Sequence, residues 1–238
     1  MIRSAGIVLS TIRYSDSSVI ARIYTRKNGL LTFMVRTGKG KTALQKLGLL
    51  QPLSIVNIWF KDDDRKSIKS LTSIERAESL NEIPFDTVKT CIALFMAEVI
   101  GRSIHEEETN EKMFHFLTES ILSLDRSKSE VSNFHLSFMI EFSRHLGFYP
   151  HQRNNNEPFF DLMEGEFLFA EPIHPHVLSG KALEGLHRLM LGHDGTEHIK
   201  IGNETRRILL QKVIDYYRLH LHGMKEITSH KVLEEVLS

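Results

Sequence analysis

The chain has 238 residues, 41% hydrophobic and 25% charged, with thirty basic and thirty acidic side chains and a formal net charge of zero. That length holds one large or two modest domains, and the composition is that of an ordinary globular protein. A single cysteine, Cys91, excludes an intramolecular disulfide and any zinc site built from several thiolates, which fits a reducing compartment, the cytoplasm. The charge is divided unevenly: residues 1–80 hold fourteen Lys and Arg against six Asp and Glu, an excess of eight positive charges that residues 81–238 reverse. A basic first part is the electrostatic footprint of a polyanion binder, most often nucleic acid.

Residues 1–80 read as strands. Ile7-Val8-Leu9 comes first, in an apolar stretch too short for a secretory segment. Ser18 to Thr25 and Leu30 to Arg36 are rich in β-branched and aromatic residues, and the Asn28-Gly29 pair between them is a strong hairpin signal. Leu53 to Phe60 and Ser67 to Glu75 follow, joined by the charged turn Asp62-Asp63-Asp64-Arg65. About five short strands in so small a unit suit a closed barrel, because closure removes exposed edges. An OB-fold and an SH3-like barrel both explain the pattern.

After Pro84 the apolar period becomes helical. Val88, Ile92, Phe95, Met96 and Val99 mark one helix, and Cys91 within it is expected to be a buried, inert thiol. Met113 to Leu124 and Phe134 to Leu146 mark two more, the latter stopped by Gly147 with Pro150 beyond. Ala182 to Leu191, Ile208 to Leu221 and Lys231 to Leu237 complete the helices, and Pro158 to Phe169 reads as a small hairpin about a Glu-Gly turn. The sequence therefore predicts an α+β chain. A five-stranded OB-fold β-barrel over residues 1–80 binds nucleic acid. An α-helical domain over residues 81–238 follows, with a β-hairpin insertion at about 158–170.

Candidate chemistry sits mostly in the first part. Arg36-Thr37-Gly38-Lys39-Gly40-Lys41 combines glycines, which let backbone approach a phosphate closely, with three cations. It lacks the upstream glycine of a P-loop, because Val35 stands there. Arg26 and Lys27 flank the hairpin tip, Arg13 and Arg22 lie on or beside strands, and Tyr24, Phe33 and Trp59 are candidate base-stacking rings. The expected DNA contacts are Arg13, Arg22, Arg26, Lys27, Arg36, Lys39 and Lys41, gathered in one groove. His151, His174 and His176 lack the helical register of a metal pair, and no metal is assigned. His193 and His198 flank a glycine turn, and His220 and His222 end a helix, where positive charge suits the dipole. No catalytic constellation can be assembled, and no cofactor is assigned.

The order of these features resembles the bacterial recombination mediator family RecO. Gly6-Ile7-Val8-Leu9 opens the barrel, Thr25-Arg26-Lys27-Asn28-Gly29-Leu30 turns the hairpin, and the basic loop and Leu50-Gln51-Pro52-Leu53 follow. Phe142 to Pro150 is similar to that family's Leu-Gly-x-x-Pro helix ending, and Tyr216 to Leu221 with Ile227 to Leu233 is similar to its closing helices. The resemblance implies an N-terminal OB domain and a non-enzymatic role. It implies binding to single- and double-stranded DNA, strand annealing, work with RecR, contact with the acidic tail of the single-stranded DNA-binding protein, and loading of RecA. Many members carry a four-cysteine zinc site after the Leu-Gly-x-x-Pro segment. Here that stretch is His151 to Pro158 without cysteine, so zinc is not carried over and apolar packing must hold the hairpin.

The helical part would then dock protein, with Arg206 and Arg207 as candidate cations at a pocket for the acidic tail. Two rival readings are a basic-barrel protein-interaction module without DNA function and a metal-dependent nuclease using Asp62 to Asp64.

Overall fold

The computed structural model describes residues 1–38, 40–61, 66–104, 109–128, 131–192 and 200–237. The chain divides into two compact units, Met1–Ser127 and Lys128–Ser238. Among the described residues no helix is long and apolar enough to cross a membrane.

The first unit is built on a closed barrel of five strands in the order β1-β2-β3-β5-β4. These are β1 (Ile2–Ser15), β2 (Ser18–Thr25), β3 (Gly29–Arg36), β4 (Ile55–Lys61) and β5 (Ile68–Arg76). The β3–β5 pairing is parallel and closes the barrel over Thr32↔Ile68, Phe33↔Lys69 and Met34↔Ser70. The other seams are antiparallel. This is an OB-type barrel, with a helix, α1 (Lys41–Leu49), between its third and fourth strands. The sequence pattern did not announce α1.

Alternation fills the interior. Val19, Ala21, Ile23, Leu31, Phe33, Val35, Ile58 and Phe60 point inward, and the Phe33 and Phe60 rings meet edge to face at 5.1 Å. Gly6 is where β1 approaches β2 most closely: a Cβ there would lie 2.6 Å from Ile23 Cγ2. The Leu50-Gln51-Pro52-Leu53 segment plugs one barrel end. Leu50 and Leu53 are buried, Leu53 N–H donates to Val8 O at 2.7 Å, and Thr11 Oγ1 donates to Leu50 O at 2.8 Å. Leu53 holds φ 62°, a left-handed conformation costing about 1–3 kcal/mol, which its burial offsets.

Two helices, α2 (Thr87–Ser103) and α3 (Glu111–Arg126), belong to the same unit as the barrel. Asp86 caps α2 by accepting Lys89 N–H, and Asn110 caps α3 by accepting Met113 N–H. The segment entering α2 is clamped: Asp125 accepts the N–H groups of Asn81, Glu82 and Ile83, each at 2.9 Å, while buried Lys89 donates to the carbonyls of Asp125 and Ser127. Burial pushes the Asp125 carboxyl up, but those three N–H groups and Lys89 outweigh it and hold the group below its ordinary value. Cys91 is half-buried rather than enclosed, because it falls on the flank of α2.

The second unit contains α4 (Phe134–Leu146), a small sheet ordered β7-β6-β8, and three further helices. The strands are β6 (Phe159–Asp161), β7 (Glu166–Leu168) and β8 (Val177–Ser179), and the helices are α5 (Gly180–Leu191), α6 (Asn203–His220) and α7 (His230–Val236). The expected hairpin is β6–β7; its third strand is an addition. Gly147 ends α4 at φ 89°, with Phe148 N–H donating back to Ser143 O at 3.1 Å. Phe148 then packs on Tyr216, Tyr217 and His220, and the two tyrosine hydroxyls donate to Phe148 O and Met139 O at 2.6 Å.

The same region shows how the sheet is held without cysteine. Phe160 packs on Phe167 and Tyr216, and Arg153, under the Phe167 ring, bonds Glu184 Oε1 at 2.9 Å and Glu157 O at 2.8 Å. His174 meets Asp161 at 3.2 Å and His151 meets Glu166 at 3.4 Å as separate pairs. Among the described residues no three His, Cys, Asp or Glu side chains gather as metal ligands, so the donors here do not fit a zinc ion.

Candidate nucleic-acid interface

The expected cations do not share one groove. Arg26 and Lys27 fall at one end of the β2–β3 hairpin and Arg36 at the other, separated by eight-residue strands that span about 23 Å, with Arg22 midway. Arg26 and Lys27 occupy the tip. There Gly29, not Asn28, takes the positive φ (63°), and Thr25 Oγ1 braces the turn by donating to Gly29 O and accepting Asn28 N–H. Arg26 is paired with Glu111 of α3 at 3.2 Å, both groups being exposed.

The other end is richer. Arg36 ends β3 and is exposed, and Lys41 opens α1, also exposed. Lys46 lies one turn further on, and its Nζ donates to Arg36 O at 3.0 Å, which adds a cation the sequence reading missed. Had residues 41–49 been read as a helix, Lys46 would have been found folding back over the strand end. Lys39 lies outside the described residues, as do Asp62, Asp63, Asp64, His193 and His198. The loop after β3 is docked by Thr37 N–H on Ser17 O at 2.9 Å. Ser17, Ser18, Met34, Arg36 and Gly38 line a concavity of about 390 Å³ at this end, with no carboxylate among them.

Like Arg26, two more of the seven cations are engaged within the protein. Arg13 pairs with Asp16 at 3.1 Å. Arg22 is half-buried, donates to Gly101 O of α2 at 3.3 Å, and is held below its ordinary pKa by burial and by neighbouring Arg102.

The stacking candidates are also corrected. Tyr24 and Phe33 are 1% and 0% exposed: Phe33 is core, and Tyr24 sits against Phe114 of α3. Trp59 is half-buried with the Arg3 guanidinium 5.2 Å from its ring centre, so one of its faces is covered. The barrel's exposed aromatic is Tyr14, at 65%, beside equally exposed Ile12. It sits at a register shift between Arg13 and Ser15, where β1 has one residue more than β2.

In the second unit Arg206 is a structural group. It is buried and bonds Asn133 Oδ1, Asn203 Oδ1, Ile201 O and Leu237 O at 2.9 to 3.2 Å. The groove of about 650 Å³ beside it has Arg207 and Lys231 on its walls but also Glu204, Glu234 and Glu235, a poor match for an acidic tail. His135 in its wall is fully buried. Burial, and then the Arg206 charge, bring its pKa down to about 3, so the ring is neutral. His220 stacks on Phe148 and its Nε2 lies 3.0 Å from Leu162 O.

Comparison with known proteins identifies the scaffold. Residues 1–80 match the family described as Recombination protein O N terminal, and residues 84–226 match Recombination protein O C terminal. The DNA repair protein RecO of Flavobacterium psychrophilum is 33% identical over 240 residues, covering 100% of this chain and 99% of that protein. The proteins of the same name from Phocaeicola vulgatus and Bacteroides fragilis are 35% and 36% identical, each over at least 98% of both chains. An OB-type barrel followed by helices, matched over its whole length, places the chain in the RecO family, whose role is in recombinational DNA repair.

Proposed function

We propose that this chain is a DNA-binding recombination mediator and that its first 80 residues are the DNA-binding domain. The observation that carries the reading is the barrel end at Arg36, whose exposed side chain lines a concavity with no carboxylate in its lining while Lys46 bonds the Arg36 carbonyl and exposed Lys41 opens the next helix, in a chain of this family. A sugar–phosphate strand is the polyanion such a surface suits, with Arg26 and Lys27 as a second, weaker contact at the far end of the hairpin. In this reading the barrel binds and anneals strands. The helical unit docks proteins, and the chain works with RecR to load RecA on DNA coated by the single-stranded DNA-binding protein in the cytoplasm. It carries out no bond-making chemistry itself.

Titrating a labelled oligonucleotide at several salt concentrations tests this. If about five phosphates are neutralised, the log–log slope of affinity against salt is about −3.5 for single strands. Replacing Arg36 and Lys41 by Ala together brings the slope about 1.4 closer to zero and weakens all sequences alike, since phosphate contacts carry no base code. A flat salt dependence in the unaltered protein overturns the reading.

A further inference from the structure

Cations alone hold both paired and unpaired strands through the phosphates, and the denser charge of a duplex gives them no preference for the unpaired one. What distinguishes them is the base face: in a duplex both faces of each base are covered by neighbours, whereas an unpaired base can lie flat on an aromatic ring. A protein that prefers unpaired strands therefore needs an exposed ring next to a phosphate seat. The barrel interior supplies neither Tyr24 nor Phe33 for this, because both are buried.

Among the described residues of the barrel strands one aromatic ring is largely exposed, Tyr14, three residues before Ser17 of the concavity. Tyr14 stands on the part of β1 that pairs with the start of β2, beside the turn formed by Asp16 and Ser17. The register shift at Tyr14 interrupts the ladder, and such bulges redirect a side chain away from regular pairing. Ile12, two residues away, is as exposed as Tyr14 and extends the apolar surface. The turn that follows contributes Ser17 and Ser18 to the concavity shared with Met34, Arg36 and Gly38. That concavity offers the Ser17 hydroxyl, the Ser18 hydroxyl that also bonds Ser15 Oγ at 2.6 Å, one guanidinium and an open glycine backbone, since nothing lies within 4 Å of a Cβ built on Gly38. The nearby carboxylate, Asp16, is almost fully exposed, pairs with Arg13 at 3.1 Å and does not line the concavity.

We propose that Tyr14 is a base-stacking residue that selects unpaired strands: one base lies on its ring and on Ile12 while the adjoining phosphate sits at Ser17, Ser18 and Arg36. This rests on the DNA-binding reading and adds to it the site of strand selectivity. The occupant is nucleic acid rather than a protein, because the lining supplies the Arg36 guanidinium and serine hydroxyls and holds no carboxylate.

The test uses the full chain, a twenty-nucleotide oligo-dT and a duplex of twenty base pairs, with binding read by fluorescence anisotropy at two salt concentrations. Tyr14→Ala weakens the single strand by about 5- to 150-fold, corresponding to loss of one stacked base. It leaves the duplex affinity and the salt slope unchanged. Tyr14→Phe keeps the ring and retains the affinity. The thermal midpoint of each variant, recorded alongside, separates lost binding from lost folding; Tyr14 is exposed, so it stays where it is. If Tyr14→Ala binds oligo-dT as the unaltered protein does while the Arg36 and Lys41 variant does not, the stacking proposal falls, the DNA reading stands, and the apolar pair is left as a protein-docking surface. Equal loss for both probes also overturns it. Failure of the unaltered protein to bind either probe removes the DNA reading itself.

Discussion

Arginine does different work in the two units. In the barrel, Arg36 and Arg26 are exposed at opposite ends of a hairpin, available to solvent or to a single exposed partner. In the helical unit, Arg206 and Arg153 are enclosed: one ties four oxygen acceptors together and the other, 5% exposed, sits beneath Phe167 between Glu184 and Glu157. A charge count over the sequence treats all four alike. The difference is that a guanidinium has five donors in a fixed fork, which suits either a phosphate at a surface or several carbonyls in an interior. The acidic balance of the second part therefore understates how fully some of its cations are engaged in holding the fold.

That contrast can be broken by substitution. Arg206→Ala should have the largest effect, a loss of about 3 kcal/mol measured by urea unfolding, because buried acceptors are left without their charged donor. Acid should act through its neighbour. His135 has its pKa lowered to about 3 in the folded state, below the ordinary histidine value of 6.5. The stability this confers is present above pH 6.5 and is lost as pH falls toward 3, because the unfolded chain takes up the proton first. Between pH 6.5 and 4.5 that amounts to about 2–3 kcal/mol, and urea midpoints for His135→Leu should lack this component of the pH slope. Arg26→Ala should cost no more than about 0.5 kcal/mol, since its pair with Glu111 is exposed and screened. A chelator should leave the melting midpoint unchanged, because the small sheet is held by the packing of Phe160 on Phe167 with Arg153 against the Phe167 ring.

The sequence showed much of this fold because its signals are local. Strand alternation, the Gly29 turn and the Gly147 stop act over a few residues, and each lies where the pattern placed it. The candidate site was less legible. Phe33 is buried by strand parity, Tyr24 by Phe114 of a helix far away in the sequence, and Tyr14 is left outside at a register shift, and only the first of these is periodic. The gathering of Lys46 with Arg36 depends on a nine-residue helix whose apolar stripe is weak, with Leu44 exposed. Arg206 reads from the sequence as a candidate docking cation rather than a structural group because its partners, Asn133 and Leu237, lie 73 and 31 residues away. Long-range satisfaction of a polar group leaves no periodic trace in a sequence.

The parallel β3–β5 seam is held over only three residue pairs, whereas β1 meets β2 over eight. A cylinder opens along its shortest weld, so the first strand to breathe should be the start of β5, and its amides should trade deuterium faster than those of β1. Met34 is both the last paired residue of that weld and a wall of the cavity beside Arg36. A strand lodged there would stiffen the cylinder at its loosest point, and slower exchange at Ile68 to Ser70 would register its arrival.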